Sequence, residues 1–134
     1  MKFFAAYAAT LSGLVALDML WLGIVAKAHY AAAIAHLLAP RPGVTAALVF
    51  YSLFALGLMH FAVTPNAQSP GWGKTLSAAA LFGFFTYMTY DLTNLATLRG
   101  WPIGLSILDV AWGMTVSVCA AACGKAAMGW FVQQ

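Results

Sequence analysis

Four runs of about 20 or more residues that carry almost no charge constrain this chain more than anything else in it. They cover residues 3–26 (FFAAYAATLSG through DMLWLGIVA), 43–63 (GVTAALVFYSLFALGLMHFAV), 75–98 (TLSAAALFGFFTYMTYDLTNLATL) and 103–131 (beginning IGLSILDVAWGM). A helix rises about 1.5 Å per residue, so each run can cross a hydrocarbon core about 30 Å thick. Turn-forming stretches separate them: PRPG at 40–43, TPNAQSPGWG at 64–73 and RGWP at 99–102. Of the 134 residues 63% are hydrophobic and only 7% charged, against roughly a quarter charged in a soluble domain. Six basic and three acidic residues cannot clothe a water-soluble surface. The sequence therefore predicts an all-α integral membrane protein. Residues 1–134 form one domain of four transmembrane helices in an up-down bundle, with both termini on one face.

Lys2 ahead of an apolar stretch resembles the start of a secretory signal. The run is longer than the 7–15 residues of a signal core and contains Asp18, so it is expected to remain as a span. Orientation should follow the Lys and Arg residues near helix ends, and here they tie. Lys2, Lys74 and Lys125 fall on one face, Lys27, Arg41 and Arg99 on the other. Either a subtler signal orients the chain or it inserts both ways. The net charge of +3 is scattered singly, which anchors a chain among membrane lipids and offers no nucleic-acid surface.

The segment KAHYAAAIAHLL at 27–38 can continue helically beyond the first span as an interfacial turn, with His29 and His36 on one face. A metal would need a third ligand at that depth, and His60 falls near the opposite face, so no metal site is expected. Cys119 and Cys123 are four apart in an alanine-rich helix. They read as small packing residues, like Gly13, Gly57, Gly83 and Gly113. Trp72, Trp101 and Trp130, at loop boundaries, read as interfacial belt residues.

Asp18, Asp91 and Asp109 are the only acidic residues, and all three fall inside apolar runs. A charged Asp at a helix centre costs about 2.5–3.5 kcal/mol on insertion scales. Three of them should therefore face the protein interior. Counting from the nearest edge markers, Lys27, Arg99 and Pro102, puts Asp18 about 13 Å deep, Asp91 about 12 Å and Asp109 about 10 Å. All three depths are measured from one face, so the carboxyls are expected in one layer.

Tyr87, Tyr90, Asp91 and Asn94 follow helical spacing and make one polar stripe; Tyr51 reaches a similar depth on the second run. The pattern D-x-x-W occurs twice, as DMLW at 18–21 and DVAW at 109–112. If both face inward, Trp21 and Trp112 would wall the acidic layer above and below; otherwise Trp21 is interfacial and Trp112 packs in the core. With no cation inside, the acids must find partners among tyrosine hydroxyls, Thr93, Asn94, indole N–H groups and water.

DMLWLG at 18–23, YSLFALGLMHFAV at 51–63, GFFTYMTYDLTNLATLRGWP at 83–102 and DVAWG at 109–113 together resemble the bacterial membrane-protein family called domain of unknown function 2177. The resemblance spans nearly the whole chain, with YDLTNLATL its most specific block. It implies a small four-span protein of the bacterial inner membrane and no particular activity.

Three functions are compatible with these residues. One is proton-linked binding or transport of a small lipophilic molecule, with the acids as a protonation switch and the aromatics as cavity lining. Four helices enclose little volume, so a transporter would need a homodimer. Another is an embedded enzyme acting on a lipid, isoprenoid or pigment, with Asp91 or Asp109 as general acid and Tyr87 or Tyr90 orienting the substrate. The last is a scaffold whose acids only join helices. The sequence identifies no nucleophile and no cofactor.

Overall fold

The computed structural model describes residues 1–130, and those residues are helical with no strand. The end of the fourth apolar run, residue 131, lies outside the described residues. Helix α1 (Lys2–Leu20) widens into a π turn at Trp21–Val25, and the short α2 (Lys27–Ile34) follows. Helix α3 (Val44–Leu58) likewise ends in a π turn, Met59–Val63; α4 spans Gly73–Thr97 and α5 Ile103–Trp130. The boundaries fall within two residues of those read from hydropathy. Gly71 and Gly100 supply positive φ, 79° and 73°, in the turns before α4 and α5, a conformation open to glycine at little cost.

Among the described residues three segments are long and apolar enough to cross a membrane: Lys2–Val25, Val44–Val63 and Ile103–Trp130. Helix α4 has the length, but its stripe of Thr, Tyr, Asp and Asn lowers its apolar character.

Helix α5 is the centre of the packing, with α1 on one side and α4 on the other. Small residues make both contacts close, as the sequence suggested. A side chain added to Gly13 would meet Cys123, and one on Gly124 would meet Thr10. One on Gly83 would strike the Gly113 carbonyl, and one on Gly113 the Tyr87 ring. Residue 10 meets 124 and residue 83 meets 113–117, so both pairs run antiparallel. Ala6, Leu14, Ala55, Leu58, Val63, Val116 and Ala120 fill the core between α1, α3 and α5.

Helix α3 joins this core only by its second half. Phe54, Ala55 and Leu58 are buried, whereas residues 44–50 are all exposed. The first two turns of α3 thus stand away from the other helices and leave a wedge. At the same end of the molecule α2 folds back, and Ile34 packs on Trp101 and Leu105 of the α4–α5 junction.

Candidate functional site

The wedge is a cavity of about 730 Å³ reached by every helix. Asp18 of α1, Tyr30 of α2, Tyr51 of α3, Thr86, Tyr87 and Tyr90 of α4, and Asp109 and Trp112 of α5 supply its polar and aromatic groups. Leu22, Ala47, Phe50, Leu53 and Phe54 supply its apolar side, and no Lys, Arg or His lines it.

Each carboxyl is fixed by a residue from another helix. Asp18 is 2% exposed, and its Oδ1 accepts the indole N–H of Trp112 at 2.8 Å. Asp109 is 9% exposed, and its Oδ1 accepts the Tyr30 hydroxyl in a close contact. Among the described residues Asp109 Oδ2 takes no hydrogen bond, whereas the Tyr51 hydroxyl lies at Asp18 as a second partner. Burial first, and then the Asp109 contact, push the Tyr30 phenol above its ordinary range, so Tyr30 serves as a donor.

The two tryptophans of the repeated D-x-x-W pattern stack face to face, with ring centroids 4.3 Å apart and planes 4° from parallel. They do not bracket the acids from above and below. Antiparallel packing explains the difference: Trp112 lies one turn beyond Asp109 and so reaches the level of Asp18, while Trp21 comes to meet it from the other direction. The pairing is only half reciprocal. Trp112 bonds Asp18, but Tyr30 takes Asp109, and Trp21 Nε1 is buried without a partner. The π turn begins at Trp21, and π turns within α-helices occur frequently at functional sites.

Asp91 is placed differently. It is completely buried, and neither of its oxygens has a partner. It lies behind the cavity wall, next to the pair in which Trp101 Nε1 donates to Ser106 Oγ at 2.9 Å. Asp109 is the acidic neighbour of both Asp18 and Asp91, so it is the middle member of the three. Asn94 neighbours Tyr90 and does not line the cavity, while Thr93 turns back onto the Thr89 carbonyl. Neither partners an acid.

Two residues depart from their sequence reading. Tyr30 belongs to a segment read as an interfacial turn, yet it reaches Asp109; a tyrosine one turn past the first run is the only signal that pointed to it. Trp101, read as a belt residue, is 8% exposed and packs under Tyr90. Trp72 and Trp130 are exposed. Among the described residues no group of three His, Cys, Asp or Glu side chains is placed to hold a metal ion.

Comparison with protein families matches residues 3–126 to the family described as a predicted membrane protein, DUF2177. The chain belongs to that family. Searches of curated proteins and of solved structures returned no match. The DUF2177 match takes in the complete cavity lining, from Asp18 to Trp112.

Proposed function

We propose that this DUF2177 protein binds a small lipophilic molecule in the wedge cavity and that Asp109, with Asp18, couples the binding to protons. The observation that carries this reading is the composition of the cavity. Its volume falls within the roughly 300–1,000 Å³ of small-molecule sites, its walls are apolar and aromatic, and two buried acids line it. A scaffold needs its polar groups paired, since pairing is how they join helices; the free oxygen of Asp109 suits a ligand or a proton better.

The setting proposed is a multi-pass protein of the bacterial inner membrane with four spans in an up-down arrangement. Support for α4 as the fourth span comes from its hydroxyls. Thr86, Thr89, Thr93 and Thr97 each donate to the carbonyl four residues earlier, so their polarity is satisfied within the helix. Transport, as distinct from binding, would call for a second copy to complete a path.

The test is extraction and mass spectrometry of the compounds that copurify with wild type and with Asp109→Asn. A specific compound held by wild type, released by a pH change and indifferent to pH in Asp109→Asn, is the expected result. Identical bulk phospholipid in both would overturn the reading. A compound that differs chemically between the two would favour an enzyme acting on it.

A further inference from the structure

The cavity opens sideways. Its rim residues Leu22, Ala47, Phe50, Leu53 and Tyr90 are all exposed, and three of them belong to the apolar segment Val44–Val63. None lies in a loop between the long helices. A molecule reaching the acids through this mouth comes from the lipid side, so it must carry an apolar chain. The far end of the cavity then selects its head.

Two carboxyls, that of Asp109 with a free oxygen, and no basic side chain among the described lining residues favour a cationic head over an anionic one. Around them stand the rings of Tyr30, Tyr51, Phe54, Tyr87 and Trp112. Aromatic faces hold cations by their quadrupole, most strongly where water is excluded. Carboxylate plus aromatic wall is therefore a complement for an ammonium group. A neutral alcohol would gain a hydrogen bond but neither of those two attractions.

Building on the cavity reading above, we propose that the occupant is an amphiphilic amine: its ammonium head sits between Asp18 and Asp109, its alkyl chain leaves between α3 and α4, and it arrives laterally from the membrane. The first half of α3 is the movable side of this portal, because residues 44–50 are all exposed.

The experiment uses the full chain in nanodiscs of phosphatidylcholine and follows quenching of tryptophan emission, since Trp112 lines the cavity. The probes are a chain-brominated dodecylamine and the alcohol of the same chain, compared at equal membrane concentration. Saturable quenching by the amine is expected, with the alcohol at least about tenfold weaker. Asp109→Asn should weaken the amine several-fold and leave the alcohol unchanged, since Asp18 and the aromatic wall remain. Ala47→Phe, at an exposed rim position, should slow the onset of quenching several-fold.

Equal binding of alcohol and amine by wild type would overturn the amine head and leave the cavity reading standing; this comparison needs no variant to fold. Amine binding by folded Asp109→Asn at wild-type strength would overturn it as well. An unchanged onset in Ala47→Phe would overturn the lateral route. Absence of saturable quenching by either probe, together with no copurifying compound, would remove both this proposal and the cavity reading beneath it.

Discussion

Trp112 donates its indole N–H to Asp18 Oδ1 and so joins α5 to α1 across 94 positions of sequence. The same ring stacks on Trp21, so one side chain both holds an acid and closes the aromatic wall behind it.

Trp112→Phe separates those two roles, since it keeps a ring over Trp21 and removes the donor. Hydrogen bonds between membrane helices are worth about 0.6 kcal/mol on average and up to about 1.7 kcal/mol. Aromatic pairs contribute about 0.5–1.5 kcal/mol. Trp112→Phe should therefore destabilise the protein by about 1 kcal/mol in detergent melting, and Trp112→Ala by clearly more. Adding Asp18→Leu to Trp112→Phe should cost less than Asp18→Leu alone costs in wild type. Strict additivity would mean that the bond contributes nothing.

Tyr30→Phe tests the other acid. The phenol is the one hydrogen bond tying α2 to Asp109, while Ile34 holds α2 by apolar contact with Trp101 and Leu105. Loss of the hydroxyl should leave α2 docked but looser. Hydrogen exchange at the amides of 30–34 should speed up, with exchange in the α5 core around Val116 unchanged. Equal exchange in both proteins would show that Ile34 alone secures α2.

The glycines of the α4–α5 contact should respond with a sign opposite to that of exposed glycines. Gly83→Ala puts a methyl group into the Gly113 carbonyl and Ser117, and Gly113→Ala puts one into the Tyr87 ring. The Gly113 carbonyl cannot yield, and the Tyr87 ring is met at its Cγ end and not at a flexible tip, so each should cost about 1–3 kcal/mol or more. A gain in helix propensity of about 1 kcal/mol cannot offset that. At Gly104 and Gly129 an added Cβ meets nothing, and alanine there should stabilise by up to about 1 kcal/mol. Melting of the four variants in one detergent is the check; destabilisation by Gly104→Ala would contradict the packing described.

Much of this site could be read from the sequence because acids in apolar helices have few places to go. Asp18 and Asp109 had to turn inward, and both are buried and line the cavity. What the sequence left hidden depends on rotation and on local helix geometry. Counting along the helix could not show that Asp91 faces the Trp101–Ser106 pair and not the cavity. The π turn at Trp21 has no hydropathy signature, and Tyr30 reaches Asp109 only because α2 folds back. Hydropathy likewise marked four runs, whereas the described helices include three that are apolar enough to span on that ground alone.

Lys125 shows the same limit at the other end of the molecule. Its position in α5 suggested a basic anchor at the membrane edge, but the side chain turns inward. The ammonium donates to the carbonyls of Asn66 at 3.1 Å and Ser69 at 3.4 Å, and to the buried Thr75 hydroxyl at 3.1 Å. An ammonium has three donors, and here three oxygens meet them, so it pins the turn between α3 and α4 without needing an anion. Lys125→Met keeps most of the apolar stem and removes all three donors. Amides of 66–72 should lose protection from exchange, and protease should cut there faster, while the exposed Lys74→Met changes neither. Lys125→Arg should rescue only in part, because a planar guanidinium cannot reach three oxygens arranged around a point. Full protection in Lys125→Met would show that the turn holds itself, through the Asn66 amide on the Ala62 carbonyl.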